Sequence, residues 1–335
     1  SETLFCDYYS TIINSYRDLP KLYNQWCSVV RWEKSTRPFL RSREFLWQEG
    51  HTIHETAKEA EEETLRMLNI YKKFFEEYLA IPVLVGKKTE KEKFAGAEYT
   101  LSLEALMYDG VSLQSATSHY FGQKFSKPFD VKFVDRNNQL QYVYQTSWGC
   151  STRMIGALIM VHGDDNGLVL PPKIAPKQVV IASIRNDENV LGAVDKIAET
   201  LKKAGLRLQC DVSDKSAGFK FAEYEMKGVP VRIEVGPRDV ANNQVVIARR
   251  DTGTKEIVKF EDIERHVLAL LDEIQANMYE RALKHTKERT YTCTTLDEVK
   301  KIMETKPGFI KAMWCGAPEC EAKMKEIRGM KSRCI

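Results

Sequence analysis

The segment from Arg31 to Thr52 limits the possible folds more than any other part of the chain. It reads RWEKSTRPFLRSREFLWQEGHT, two predicted antiparallel strands rich in both charged and aromatic residues. Phe45, Trp47, Glu49 and His51 alternate, so they share one face of the second strand. Burying unpaired charges in a core is costly, so this face is predicted to bind a charged ligand. A solvated face with ion pairs is the alternative, which the interleaved rings disfavour.

A second segment, TSWGCSTRMIG from Thr146 to Gly156, places an arginine at a predicted strand-to-helix junction. Arg153 falls where the helix should begin, and the start of a helix favours anions. Arg31 and Glu33 share a face of the first predicted hairpin strand. Guanidinium groups bind phosphate and rings stack on bases, so the two segments together predict a site for a nucleoside triphosphate.

Composition restricts the class of protein. The 335 residues carry a net charge of only +3 with 43% hydrophobic residues, which predicts a soluble globular protein of two or three domains. Any nucleic-acid binding must then come from local patches. No apolar run approaches the roughly 20 residues of a membrane span, and no signal peptide is recognisable, so a cytoplasmic protein is expected. Most of the eight cysteines are expected to be reduced and buried. Both ends of the sequence resemble cuts within a longer protein.

The predicted elements divide the chain into three domains. Residues 1–172 are predicted to form an antiparallel sheet that carries helices, which is an α+β domain. The proline-rich stretch Pro171–Pro176 is the clearest linker. Residues 173–288 alternate between strands and helices, which predicts an α/β domain, and residues 289–335 form a small C-terminal α/β module.

These motifs resemble those of class II aminoacyl-tRNA synthetases. The hairpin is similar to motif 2 of that class and SWGCSTRMIG to motif 3. The particular form resembles prolyl-tRNA synthetases of the type shared by eukaryotes, archaea and some bacteria. Further matches are KTEKEKFAG (88–96), TSH (117–119) followed by GQ, and VHGDD (161–165) followed by GLVLPP. Motif 1 and a threonine before Ser1 do not appear, and no bacterial-type editing insertion separates motifs 2 and 3.

The resemblance implies activation of L-proline with ATP and Mg²⁺, followed by transfer of proline to tRNA(Pro). It implies that Arg31 holds the α-phosphate while Arg41 and Arg153 hold the outer phosphates. Phe45 would stack on adenine, with Arg153 covering its other face. The remaining implied ATP-binding residues are Glu33, also a magnesium or amino-group candidate, Gln114, Thr117 and Ser151. The implied proline-binding residues are Glu2, Arg31, Trp47, Glu49, His51 and His119.

The resemblance also assigns the rest of the chain. The second domain is similar to an anticodon-binding domain, in which Glu225, Arg232, Arg238 and Asp239 would read guanines, although surface ion pairs are an open alternative. Cys315, Cys320 and Cys334 resemble part of a zinc module, but three thiols give a weak zinc signal. His54 is expected to be an exposed residue at the start of a helix.

Two alternatives to a homodimeric prolyl enzyme remain open. The first is a non-catalytic paralogue that uses the synthetase fold for RNA binding or regulation, which the retained arginines disfavour. The second is another synthetase of the same subclass, such as the threonyl type. The proline-type pocket residues, and the absence of evident zinc ligands in the first domain, disfavour it.

Overall fold

The charged hairpin forms two paired strands in the computed structural model, which describes residues 1–335. Trp47 pairs with Cys27, and Glu49 with Gln25, across the two strands. The strands of this first part of the chain are β1 (Lys21–Val30), β2 (Glu44–His54), β3 (Val83–Lys87), β4 (Tyr99–Leu106), β5 (Ser112–Gly122), β6 (Lys132–Val134), β7 (Leu140–Tyr142) and β8 (Tyr144–Ser151). Six of them form one antiparallel sheet in the order β1-β2-β8-β5-β4-β3, while β6 and β7 form a separate ribbon.

Three helices accompany these strands: α1 (Glu2–Ile12), α2 (Ala57–Lys73) and α3 (Arg153–His162). Thr56 caps α2 in a reciprocal capping box with Glu59, which explains why the helix begins there. A π-helical turn, Phe74–Tyr78, continues α2. The helix α1 ends at Ile12, and a 3₁₀ turn at Tyr16–Asp18 follows it.

The second group of elements forms a five-stranded sheet. Its strands are β9 (Val179–Ser183), β10 (Leu208–Asp211), β11 (Val231–Val235), β12 (Gln244–Arg249) and β13 (Lys255–Lys259), in the order β10-β9-β11-β12-β13. Its helices are α4 (Glu188–Lys203), α5 (Ala217–Met226), α6 (Pro237–Ala241) and α7 (Ile263–Glu288). The parallel pairs β10-β9 and β9-β11 agree with the predicted α/β alternation. Fully buried strand residues such as Val179 and Ile233 pack with α4 and α7 in one core.

The C-terminal residues form β14 (Thr290–Cys293), α8 (Leu296–Thr305), β15 (Phe309–Ala312) and α9 (Pro318–Met324). β14 and β15 pair in parallel. Two compact units emerge from the contacts: the first contains residues 1–75, 82–157 and 286–335, and the second contains 76–81 and 158–285. The C-terminal residues therefore pack with the six-stranded sheet rather than forming a separate body. None of the helices has the length and apolar character needed to cross a membrane.

Candidate active site

A cavity of about 500 Å³ lies within the first unit. Strand register explains why its residues converge, since Glu49 pairs with Gly149, which pairs in turn with Thr117. These three residues stand in one row across β2, β8 and β5, and all three line the cavity. The predicted site residues on its wall are Glu2, Arg31, Phe45, Trp47, Glu49, Gln114, Thr117, His119, Ser151 and Arg153.

A smaller pocket adjoins this cavity, since the two share Arg31, Phe45, Ser151 and Arg153 on their walls. Arg41 and Glu33, the two remaining predicted ATP-binding residues, lie on the wall of the smaller pocket. The three predicted phosphate-binding arginines are therefore brought together, two of them lining both spaces.

The arginines have few anionic partners. Arg31 lies 5.2 Å from the ring centre of Phe45 and 5.3 Å from that of Trp47. Arg153 donates to the carbonyl oxygens of Leu40 at 3.0 Å and Gln114 at 3.4 Å. Arg41, mostly exposed, is 3.7 Å from Glu33. Rings and carbonyls hold Arg31 and Arg153 without neutralising them, so the charge of these two arginines remains available for an anion.

The electrostatics of Arg153 reflect this crowding of positive charge. Burial lowers the pKa of its guanidinium, and the charges of Arg41 and Arg31 lower it further. An anionic ligand that entered between the three arginines would relieve the repulsion.

Another part of the cavity wall carries a buried carboxylate. Glu49 is only 3% exposed. His51 Nε2 lies 3.0 Å from one of its oxygens, and Gln25 donates to the other at 2.5 Å. Burial opposes ionisation of Glu49, but these partners outweigh it and lower its pKa. The carboxylate is therefore a fixed negative charge, suited to an ammonium group.

His119 and Glu2 lie in the same part of the cavity. Burial of the His119 ring lowers its pKa to about 4, so the imidazole is neutral near pH 7. Its Nδ1 lies 2.8 Å from the Thr100 hydroxyl, which fixes the ring. Glu2 begins α1 and accepts a hydrogen bond from Ser147 at 3.4 Å. Its carboxylate and that of Glu49 together make this end of the cavity acidic.

His51 is placed differently from the other members of the predicted proline set. It is 4% exposed, stacks on Phe5 at 4.2 Å and lines a narrow side pocket rather than the large cavity. Its contact with the site runs through Glu49. The strand pattern identified the correct face of the sheet. It gave no information on which side chains of that face reach the cavity and which are covered by other residues.

His54 corrects a prediction. It is 4% exposed rather than solvent-facing, because β2 extends to this residue and places it beneath α2. It lies 2.9 Å from the Thr52 hydroxyl, and burial lowers its pKa to about 4.

Several cavity residues had no role assigned from the sequence. They are Lys88, Glu92, Lys93 and Phe94, from the stretch that follows β3. Their signal was present in the quoted motif KTEKEKFAG, but its charges are indistinguishable from those of an exposed loop. Lys88 is 4% exposed, which only the fold reveals.

The predicted anticodon-reading residues all lie in the second unit. Arg232 is held by Glu234 at 2.9 Å and stacks on Phe221 at 4.3 Å. Glu225 accepts from Asn166 at 3.2 Å. Arg238 is exposed and Asp239 half-buried, both on the short helix α6. Arg238 is therefore the cation of this set with the greatest freedom to contact a ligand.

The three C-terminal cysteines do not form a metal site. Cys315 and Cys320 are exposed, with their sulfur atoms 3.1 Å apart. Cys334 instead packs against Gly86, where burial raises its pKa to about 11. No three histidine, cysteine or acidic side chains lie close enough to hold a metal ion. The zinc expectation based on these three thiols is thus not supported, because the chain carries Cys334 to the edge of the sheet.

Family models match three successive parts of the chain. The model described as tRNA synthetase class II core domain (G, H, P, S and T) matches residues 1–162. The anticodon binding domain matches residues 178–270, and the prolyl-tRNA synthetase C-terminal domain matches residues 296–335. Similarity to known proteins extends over the whole chain. The chain is 61% identical to a proline–tRNA ligase of Clostridium novyi (strain NT), and the match covers 100% of this chain and 70% of that protein.

The chain belongs to the prolyl-tRNA synthetase family. Proline–tRNA ligase 2 of Bacillus cereus (strain ATCC 10987) is 59% identical, and a proline–tRNA ligase of Lachnoclostridium phytofermentans is 58% identical. Each comparison again covers 100% of this chain and 70% of the relative. Family membership confirms the predicted succession of a class II core, an anticodon-binding domain and a small C-terminal domain.

Proposed function

We propose that this protein activates L-proline with ATP and transfers the prolyl group to tRNA(Pro). The observation that carries the proposal is the division of charge between two parts of the large cavity and its adjoining pocket. Three arginines with few anionic partners lie at one part, and the buried carboxylate of Glu49 lies at another. Such a cavity suits a polyphosphate beside an amino acid, and family membership supports the identity of that amino acid.

At the arginine part, Arg31 would hold the α-phosphate, and Arg41 and Arg153 the β- and γ-phosphates. Phe45 would stack on adenine, with Arg153 covering its other face. Gln114, Thr117 and Ser151 line the same cavity and would contact adenosine. Glu33, beside Arg41, would be the carboxylate that holds Mg²⁺, which would help to neutralise the phosphates.

At the carboxylate part, Glu49 and Glu2 would bind the proline ammonium group. Trp47 and the neutral His119 would enclose its ring. His51, whose Nε2 lies 3.0 Å from Glu49, would act through the charge of that carboxylate rather than by touching proline.

The chemistry requires alignment more than acid–base catalysis. The proline carboxylate is itself the nucleophile and attacks the α-phosphorus, and pyrophosphate leaves. Arginines that are already in place stabilise the charge of the transition state without reorganisation. Replacing Arg31 with alanine should therefore cost about 10²–10³ in rate.

The second unit would bind the anticodon of tRNA(Pro), with Arg238 as its leading candidate for a guanine and Glu225, Arg232 and Asp239 beside it. Because the second substrate is a tRNA, we place the reaction in the cytoplasm.

The exposed face of β1 supports the expected homodimer. Leu22, Trp26 and Val30 alternate on this edge strand and are 50%, 78% and 76% exposed. Large apolar side chains in such a row favour a covering partner surface, and we propose a second copy of the protein.

Proline-dependent ATP–pyrophosphate exchange tests this function, with alanine, cysteine and threonine as controls. Exchange in which proline dominates is expected, with weaker exchange for alanine and cysteine, since a pocket discriminates small side chains poorly. Dominant exchange with threonine would indicate the threonyl type. The absence of exchange with any amino acid, from folded protein, would favour the RNA-binding paralogue.

A further inference from the structure

The end of the chain pairs with the edge of the catalytic sheet. The backbone N–H of Ile335 donates to the carbonyl of Lys87 at 2.8 Å, and that of Lys87 to Ile335 at 3.2 Å. β3 is the outermost strand on this side, so the C-terminal residues occupy hydrogen-bonding groups that would otherwise be unpaired.

This pairing brings Arg333 beside a buried carboxylate. Arg333 donates to the carbonyl of Ser112 at 2.9 Å, and its second nitrogen lies 3.6 Å from Glu104. Glu104 is 1% exposed and accepts from the hydroxyl groups of Ser102 at 2.8 Å and Ser112 at 2.9 Å.

The same carboxylate holds Lys88. The Lys88 ammonium lies 2.5 Å from Glu104 Oε1, and its side chain is 3% exposed. Lys88 also lines the large cavity. The position of this ammonium therefore depends on Glu104, and that of Glu104 depends in part on Arg333.

The donors and acceptors in this cluster do not balance. A carboxylate has about four lone-pair sites. Hydrogen bonds from Lys88, Ser102 and Ser112 occupy three of those of Glu104, and Arg333 lies 3.6 Å from the same carboxylate. An ammonium group has three donors, and Glu104 is the hydrogen-bond acceptor that the protein provides. Two cations share one carboxylate, so the cluster retains a net positive charge beside the cavity.

A second group of contacts holds the residues that follow Lys88. Thr89 donates to the buried Glu321 at 3.1 Å, and Lys325 lies 2.5 Å from Glu92. Ser332 donates to the same Glu321 at 2.7 Å. The C-terminal module thus fixes the loop at the cavity through contacts that are independent of Arg333.

We propose that Lys88 is a further substrate-binding cation, and that Glu104 and Arg333 are its positioning residues. The ligand group is an anionic oxygen, either of the amino-acid carboxylate or of an ATP phosphate. Binding of such an oxygen would use the free ammonium donors and neutralise the residual charge. This inference rests on the proposed adenylation at the same cavity.

The experiment compares Lys88→Met and Arg333→Met with a matched control, Lys331→Met, which removes an exposed lysine two residues from Arg333. Pyrophosphate exchange would be measured while proline and ATP are varied separately. Lys88→Met should lower kcat/KM by about 10- to 100-fold. Arg333→Met should lower it by roughly 2- to 5-fold through the same substrate. Arg333→Lys should restore most of the loss, and Lys331→Met should match the wild type.

The substrate whose KM rises identifies the source of the anionic oxygen: proline for a carboxylate, ATP for a phosphate. Urea unfolding of each variant separates this effect from instability, and Arg333→Lys provides a folded comparison if Lys88→Met unfolds. Normal kinetics for Lys88→Met or for Arg333→Met would overturn the inference while leaving the proposed function intact. Failure of exchange in the wild-type protein would instead overturn the proposed function.

Discussion

The catalytic cavity and the anticodon-binding unit hold their arginines in different ways. In the cavity, Arg31 rests on rings and Arg153 on backbone carbonyls. In the second unit, Arg249 makes a bidentate pair with Asp251 at 2.9 Å, and Arg250 pairs with Asp164 at 2.6 Å. Carboxylates match the charges of Arg249 and Arg250 within the fold, whereas Arg31 and Arg153 have no such partner and remain available for an anionic substrate.

The largest expected effect comes from Arg153. Replacing it with methionine should lower the rate of proline-dependent exchange by about 10²–10³. The free energy of unfolding should not fall, because burial and two neighbouring arginines already disfavour this charge. Exchange kinetics and urea unfolding measure the two quantities. A large loss of stability together with unchanged exchange would assign Arg153 to structure and would break the comparison.

Glu49 should show the next largest effect. Glu49→Gln keeps the shape of the side chain and removes its charge, so KM for proline should rise about 10- to 100-fold while KM for ATP changes little. Glu44→Gln is the control, since Glu44 begins the same strand but is exposed.

The pH dependence of proline binding provides a second test of Glu49. A lowered pKa means that its carboxylate stays ionised at lower pH than an ordinary glutamate, and that proline binding is lost only as pH falls through this lowered value. A KM for proline that already rises between pH 7 and pH 6 in the wild type, and not in Glu49→Gln, would contradict the assignment.

Arg238 tests the second unit. Arg238→Ala should weaken charging of tRNA(Pro) by about tenfold and leave pyrophosphate exchange unchanged, because this exposed arginine would contact only the tRNA. Arg265→Ala is the matched control, as Arg265 is also exposed but pairs with Asp262 on the same polypeptide. Equal charging by the two variants would remove Arg238 from the anticodon site.

The last of these effects concerns stability and His54. Its pKa is about 4 in the folded protein, and the ordinary value is 6.5. Between these values the unfolded chain binds a proton that the folded chain does not, so the free energy of unfolding decreases as pH falls. His54 should account for about 2 kcal/mol of the decrease between pH 7 and pH 5. Urea unfolding of His54→Gln should show a shallower pH dependence than that of the control His266→Gln, which removes a half-buried imidazole 2.8 Å from Glu256. Identical slopes would be inconsistent with a buried neutral imidazole at position 54.

The sequence predicted which strands form the site, but it did not predict how deeply each side chain of those strands is buried. Alternation placed Phe45, Trp47 and Glu49 on one face, because a strand has a strict period of two. It could not show that His51 lies behind Glu49, since that depends on Phe5 from another element.

Contacts between distant residues were the least predictable. Lys88, Glu104 and Arg333 meet because β3, β4 and the C-terminal residues lie side by side, and none of the three carries a local signal of burial. The glycine at position 50 is a similar case. A Cβ at this position would lie 2.1 Å from the ring of Trp148. The need for glycine therefore becomes visible only when the pairing of β2 with β8 is known.

Paired measurements on Arg31→Met and Arg249→Met test the central claim most directly. At a temperature where both variants are folded, Arg31→Met should lose about 10²-fold or more in proline-dependent exchange with an unchanged free energy of unfolding. Arg249→Met should retain exchange but lose about 3 kcal/mol of stability, because Asp251 would be left buried without its partner. Loss of stability in Arg31→Met with normal exchange would contradict the account.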